Sequence, residues 1–61
     1  MNYDLHLLRR PQVEAMTSLS RATIYRYMKE GKFPKSHSLG SKIVVWKLSE
    51  VQDWIRAQVG Y

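Results

Sequence analysis

The chain has 61 residues, 44% of them hydrophobic, which is enough for one small domain with a modest core. It contains no cysteine, which excludes a disulfide framework and a thiolate zinc site, and its two histidines lie too far apart to suggest a metal site. A net charge of +5 favours a polyanionic partner, and no apolar run approaches the roughly 20 residues that a membrane span needs.

The first segment, residues 1–8, is a lead-in whose leucines we expect to contact the core. These leucines precede the basic pair Arg9-Arg10, which is the opposite order from that of a secretory signal. We therefore expect an intracellular protein that does not enter a membrane.

A short first helix is predicted over residues 11–17. Pro11 suits its first position, because the N–H that proline lacks would have no partner within the helix. Glu14 is expected in the first turn, where the helix dipole favours an acid. Val13 and Met16 share a face at a spacing of three residues. A helix this short is not stable alone, so it must pack against the next element.

A second helix is predicted over residues 20–30, after a turn formed by residues 17–19. Ser20 suits its N-cap, and Gly31 suits a C-cap with positive φ. At 100° per residue, the buried face consists of Ile24, Tyr27 and Met28. Two helices joined by so short a turn are typical of a helix-turn-helix.

The face of the second helix opposite Ile24 is basic, as a helix in the major groove of DNA would be. An amphipathic surface helix with a solvated basic face is the alternative. We predict contacts with DNA from Ser20, Arg21, Ala22, Thr23, Tyr25, Arg26 and Lys29.

A two-stranded wing is predicted over residues 35–47, with a type II′ turn that begins at Gly40. Period-two alternation directs Val44 and Trp46 inward and leaves Ile43 and Val45 outward, as a possible self-association surface. A hairpin that only closes the core is the alternative. The predicted DNA contacts of the wing and its flanks are Arg10, Lys35, His37, Ser38, Ser41 and Lys42.

The last helix is predicted over residues 49–59. Ser49 and Gln52 have the spacing of a capping box, and Val51, Trp54 and Ile55 are expected to complete the core. We expect a structural role for this helix, with a partner surface as the alternative. The elements together predict a mainly α domain with a small β-hairpin.

The positive charge is concentrated in the middle of the chain. Residues 9–47 contain nine lysines and arginines against two acids, which gives +7, while the ends together carry −2. A basic surface on one part of a small domain favours nucleic acid as the partner. A basic face that serves only solubility is the alternative.

The assembled pattern resembles AlpA-type regulators of prophages. The resemblance covers nearly the whole chain and rests on the segments 8–13, 19–26, 29–35, 39–40 and 46–55. It implies a winged helix-turn-helix over residues 1–61, related to phage excisionases and MerR-type DNA-binding domains. It also implies a bacterial source, a prophage or genomic island, and a location at the nucleoid. The family often has glycine at the position of Ser18 and small residues at those of Ile43 and Val45.

The first hypothesis for the function is a sequence-specific binder of double-stranded DNA without cofactor or metal. The resemblance implies that it regulates an integrase gene, acts as a recombination directionality factor (an excisionase), or does both. Further copies on DNA and a phage-type integrase are the expected partners. The alternative is a protein-interaction module that docks to an integrase or polymerase subunit without reading DNA.

Enzymatic activity is not expected. A tyrosine could act as a recombinase nucleophile, but such chemistry needs a base and phosphate clamps within a sizeable cleft, which 61 residues cannot easily enclose. The tyrosines of the chain are Tyr3, Tyr25, Tyr27 and Tyr61, and none is expected to act as such a nucleophile.

Overall fold

The computed structural model describes residues 6–60. The start of the lead-in, with Tyr3, and the final Tyr61 lie outside this range. The elements in chain order are β1 (Leu7–Leu8), α1 (Arg10–Thr17), α2 (Arg21–Lys29), β2 (His37–Ser38), β3 (Val44–Lys47) and α3 (Leu48–Val59). The fold is mainly α with a small antiparallel sheet, compatible with a winged helix-turn-helix, as the sequence predicts.

Helix α1 begins one residue earlier than predicted, so Pro11 occupies its second position. Arg9 caps the helix through its backbone: its N–H donates to Gln12 Oε1 at 2.8 Å, and its carbonyl accepts from the Gln12 N–H at 3.0 Å. Glu14 lies beyond the first turn, contrary to prediction, and its carboxylate pairs with Arg10 Nε at 2.9 Å. An i,i+4 pair of this kind on the helix surface takes the place of the expected dipole interaction.

The turn after α1 places Ser18 in the left-handed region, with φ 61° and ψ 18°. Its N–H donates to the Glu14 carbonyl at 2.8 Å, which closes the last turn of α1. Ser18 is the only non-glycine with positive φ among residues 6–60. Since an L-residue has steric strain in this region, the turn accepts at Ser18 the strain that a glycine would avoid.

Ser18→Gly should therefore stabilise the fold. Removing Cβ strain of about 1–2 kcal/mol is partly offset by the greater freedom of glycine in the unfolded chain, which leaves a gain of about 0.5–1 kcal/mol. Thermal unfolding followed by circular dichroism should show a melting temperature a few degrees higher. Ser18→Ala is the matched control, because alanine keeps the strain. Equal melting temperatures for the two variants would refute this account.

Helix α2 is held at both ends as its sequence predicts. Ser20 Oγ accepts from the Thr23 N–H at 3.2 Å. After the C-cap Glu30, Gly31 has φ 74°, and its N–H donates to the Met28 carbonyl at 3.2 Å. The next N–H, of Lys32, donates to the Tyr27 carbonyl at 2.7 Å. This pair of bonds is a Schellman motif, which turns the chain sharply away from α2.

The sheet has the strand order β1-β3-β2, with both pairings antiparallel. Leu8 lies opposite Trp46 and Ser38 opposite Val44, so the lead-in adds a third strand to the predicted two-stranded wing. Residues 39–43 connect β2 to β3, and the Leu39 N–H donates to the Ile43 carbonyl at 2.9 Å. Gly40 does not have the positive φ of a type II′ turn, so the predicted turn type is wrong.

The central strand β3 is buried on both sides. Trp46 is 0% exposed on one side, and Val45, predicted to point outward, is only 3% exposed on the other. His37 lies directly opposite Val45 and therefore on the same side of the sheet, where its Nε2 lies 3.5 Å from Glu50 Oε1 of α3. Thus α3 and β2 meet on the side of the sheet where alternation predicts solvent. Ile43, at 41% exposure, remains at the surface.

Helix α3 follows β3 without an intervening residue, and its N-cap is Lys47 rather than Ser49. The predicted capping box is therefore wrong. The Leu48 N–H donates instead to the His6 carbonyl at 2.9 Å, so the segment beside β1 satisfies the start of the helix.

The core forms where the three helices meet the sheet. Its buried members are Leu8, Val13, Ile24, Phe33, Trp46 and Val51. Two indoles hold the segment that leaves α2: Trp46 Nε1–H donates to the Pro34 carbonyl at 3.2 Å, and Trp54 Nε1–H donates to the Lys32 carbonyl at 2.6 Å. The Phe33 ring between them meets Trp54 edge to face, with centroids 4.9 Å apart. We call these contacts the indole clamp.

Candidate nucleic-acid interface

The outer face of α2 presents the side chains that the sequence assigns to it. Ile24 is fully buried and fixes the inner face, with Tyr27 and Met28 half-buried beside it. The exposed side chains on the outer face are Arg21, Ala22, Tyr25, Arg26 and Lys29. Three cations around one alanine leave room for a duplex to approach the helix closely and offer donors to phosphates and base edges.

Two of these cations lie over aromatic rings of the same helix. The Arg21 guanidinium carbon is 5.8 Å from the centroid of Tyr25, and that of Arg26 is 5.4 Å from the centroid of Tyr27. Such contacts restrict a guanidinium without using its N–H donors. Because Tyr27 belongs to the inner face, Arg26 leans towards the margin of the outer face, while Arg21 stays with the exposed Tyr25.

Ser20 and Thr23 are placed differently from the cations. Ser20 Oγ caps the helix and also donates to Thr23 Oγ1 at 3.0 Å. Both hydroxyls lie at the first turn of α2, where they order the helix start. Ser20 and Thr23 therefore lie beside the basic face and stabilise the first turn of α2.

Tyr25 connects α2 to the wing. Its ring meets Trp46 of β3 at an interplanar angle of 66° and a centroid distance of 6.5 Å. Tyr25 is 39% exposed, so one part of the ring contacts the wing while the rest remains accessible. An edge-to-face contact of this kind fixes the helix relative to the sheet.

The wing residues predicted to contact DNA separate into two groups. Lys35, Ser41 and Lys42 are exposed, and Lys42 lies near Tyr25 of α2. The side chains of His37 and Ser38 are engaged elsewhere: His37 faces Glu50, and Ser38 Oγ donates to the Gly40 carbonyl at 2.7 Å. The structure thus brings Lys42 towards the basic face and turns His37 away to α3.

A cleft of about 400 Å³ opens between the start of α1, helix α2 and the loop before β3. We call it the basic cleft. It is lined by Arg9, Arg10, Pro11, Tyr25, Lys42 and Val44. Arg9 is absent from the residues that the sequence assigned to DNA. The i,i+4 spacing of Arg10 and Glu14 is the signal that would have distinguished the two arginines, since it marks Arg10 as paired.

The described part of the chain has neither a cluster of metal-ligating side chains nor a helix that could span a membrane. Residues 6–60 contain no group of three histidine, cysteine, aspartate or glutamate side chains that could hold a metal ion. Within the same range, no helix has the length and apolar character needed to cross a membrane.

Known proteins match this chain over most of its length. The family model described as prophage CP4-57 regulatory protein (AlpA) matches residues 6–59. A protein of Enterobacteria phage P4, named Uncharacterized protein ORF88, is 44% identical over 52 residues, which cover 85% of this chain and 59% of the phage protein. The DNA-binding transcriptional activator AlpA of Escherichia coli (strain K12) is 35% identical over 57 residues, which cover 84% of this chain and 81% of that protein. The chain spans less than two thirds of the length of the phage P4 protein. Because the family model matches residues 6–59, the chain belongs to the family of prophage CP4-57 regulatory proteins (AlpA).

Proposed function

We propose that the chain binds double-stranded DNA sequence-specifically, without catalysis of its own, as a regulator carried by a prophage or genomic island. It would bind the promoter of an integrase gene and regulate its transcription, or bind the attachment site and direct excision. It could also do both. The observation that carries the proposal is the exposed basic face of α2, set beside the wing by Tyr25 and Trp46. Membership of the family supports it, as does the name of the Escherichia coli relative, a DNA-binding transcriptional activator.

The proposed division of labour follows from position on the interface. Arg21 lies on the exposed face of α2 and is suited to base edges, with Ala22 allowing close approach. Lys29 on the helix and Lys35 and Lys42 in the wing region are suited to phosphates, since an ammonium acts as a point charge without base specificity.

Several copies are expected to act together. A single module of this kind buries only about 600–1,000 Å² on DNA, which limits the affinity of one copy at one site. Further copies on adjacent sites, and a phage-type integrase, are therefore the proposed partners. With Val45 buried, the surface available for contact between copies reduces to Ile43 and the neighbouring exposed Leu39.

Salt dependence tests the proposal. Binding of the full chain to labelled duplexes should weaken steeply as salt rises, because each phosphate contact releases counterions, with a slope of about 0.9 for each phosphate neutralised. Fluorescence anisotropy across a series of salt concentrations measures this slope. If micromolar protein binds no duplex in a salt-sensitive way, the proposal fails.

Footprinting on the DNA of the carrying element separates the two roles. Protection confined to the integrase promoter is the result expected of a transcriptional regulator. Phased protection across the attachment site, at intervals of a helical turn, is expected of a directionality factor whose copies bend DNA.

One observation favours the second candidate, a module that docks to an integrase or polymerase subunit. An apolar groove of about 310 Å³ lies between the end of α1 and helix α3, with Met16, Leu19, Ile55 and Val59 among its lining residues. Burial of apolar surface there would give binding that is nearly insensitive to salt, which the same titration distinguishes from DNA binding.

A further inference from the structure

We propose that the basic cleft holds one phosphodiester group of the DNA backbone, with Arg9 and Lys42 as its charge partners and the Tyr25 hydroxyl as a third donor. The inference rests on the proposed function and adds a site to it. It assigns a role to Arg9, which precedes α1, and joins it to Lys42, which lies 33 positions later in the wing loop.

The three cations that line the cleft differ in whether an acid in the protein already pairs with them. Arg10 is committed to Glu14, and this pair is the one place where a carboxylate meets a lining residue within residues 6–60. The Arg9 guanidinium and the Lys42 ammonium form no ion pair or side-chain hydrogen bond with any residue in that range. Two unpartnered cations at one concavity repel each other, and an anion between them would relieve that repulsion.

The chemistry of the lining favours a phosphodiester over a base edge. A guanidinium and an ammonium are donors only, and a phenol adds a further O–H donor. Base edges in the major groove present donors as well as acceptors, whereas the phosphate oxygens accept only. Arginine and lysine beside a tyrosine are therefore suited to a phosphate, which each of them contacts commonly in complexes with DNA.

The position of the cleft connects it to the outer face of α2. Tyr25 lines the cleft and belongs to that exposed face. A strand whose bases meet α2 would thus place a backbone phosphate beside Tyr25, between the start of α1 and the wing. Because Arg9 and Lys42 come from different elements, one phosphate held by both would fix the register of the helix along the groove.

The test compares the full chain with Arg9→Gln, Lys42→Gln and the double variant in anisotropy titrations against a preferred and a random duplex. Each single variant should lose affinity several-fold, by the same factor for both duplexes, and its salt slope should fall by about one. The double variant should lose less than the product of the two single losses, because both side chains serve one phosphate. Tyr25→Phe keeps the ring against Trp46 and should show a smaller loss, again equal for both duplexes.

Arg56→Gln is the matched control. It removes the same charge from α3, where Arg56 is exposed and paired with Asp53 at 3.0 Å, so it should leave the salt slope unchanged. If the wild-type chain binds DNA but Arg9→Gln behaves like Arg56→Gln, the cleft inference is overturned while the proposed function stands. If the wild-type chain shows no salt-sensitive binding, the proposed function fails first.

A free phosphate ion offers the same acceptor oxygens as a phosphodiester, so a separate measurement must distinguish the two ligands. Inorganic phosphate at millimolar concentration, compared with chloride at equal ionic strength, should not displace DNA from the wild-type chain. Inorganic phosphate that raises the melting temperature of the wild-type chain, but not that of Arg9→Gln, and leaves DNA binding unchanged would overturn the assignment to the DNA backbone and identify a small-anion site. Unchanged melting temperatures of the variants would show that folding does not explain the losses.

Discussion

Trp46→Ala should remove about a third or more of the free energy of unfolding at 25 °C. Trp46 is fully buried at the centre of the sheet, and replacing a buried tryptophan by alanine typically costs about 3–5 kcal/mol. At about 0.05–0.15 kcal/mol per residue, a domain of this size has a total free energy of unfolding of about 3–9 kcal/mol. The loss therefore ranges from about a third of this stability to all of it. Urea titration followed by far-ultraviolet circular dichroism measures it.

Trp46→Phe separates the volume of the side chain from its hydrogen bond. Phenylalanine keeps an aromatic ring against Tyr25 but leaves the Pro34 carbonyl without the indole donor, which should cost about 1–3 kcal/mol. The expected order of stability is thus wild type, Trp46→Phe, Trp46→Ala. A Trp46→Ala chain that melts like the wild type would contradict the assignment of Trp46 to the centre of the core.

Arg21→Ala should give the largest loss in specific DNA binding. If its guanidinium contacts a guanine with two hydrogen bonds, truncation should cost about 1–3 kcal/mol, or about 5- to 150-fold in affinity, and relax the preference at one base pair. Selection of preferred duplexes from a random library with wild-type chain and variant measures both effects. The same truncation should cost much less on a random duplex.

Arg26→Ala provides the comparison for Arg21. The Arg26 guanidinium lies over Tyr27, towards the margin of the face, so we expect a smaller loss than for Arg21. Lys29→Ala should weaken all duplexes alike, since a phosphate contact carries no sequence information. If Arg21→Ala retains both affinity and preference, the face of α2 that reads DNA has been assigned wrongly.

The parts of the fold that sequence predicts well are those set by local signals. Ser20 and Gly31 mark the two ends of α2 through hydrogen bonds to residues three positions away. The 3.6-residue period of the helix places Ile24 inside and Arg21 outside. These features depend on neighbours along the chain, so a pattern of residue types suffices to identify them.

The features that sequence misses depend on residues far apart in the chain. The predicted capping box at Ser49 does not form, because α3 starts directly from β3. Lys47 pairs with Leu7 of β1, and the Leu48 N–H donates to the His6 carbonyl. Val45 is 3% exposed although alternation assigns it to solvent, and on its side of the sheet His37 of β2 lies 3.5 Å from Glu50 of α3. A strand of two residues such as β1 is too short to show any periodicity.

The candidate interface follows the same division. The basic face of α2 is visible in the periodicity of the sequence, whereas Arg9 and Lys42 line one cleft because of how α1 and the wing fold together. His37 is a polar residue of the type expected to contact DNA from a wing, but its position opposite Val45 places its side chain beside Glu50. Which polar residues remain available to DNA is thus decided by tertiary packing.

The indole clamp has a consequence for how the proposed complex would adapt. It ties the exit of α2 to β3 and α3 through two carbonyls and the Phe33 ring, so α2 cannot pivot against the wing without breaking those bonds. On a duplex that does not match the fixed spacing of helix and wing, the distortion would fall on the DNA. Sequences with easily kinked pyrimidine–purine steps would then be favoured at positions that no side chain touches, and the protein would select its sites partly by their stiffness.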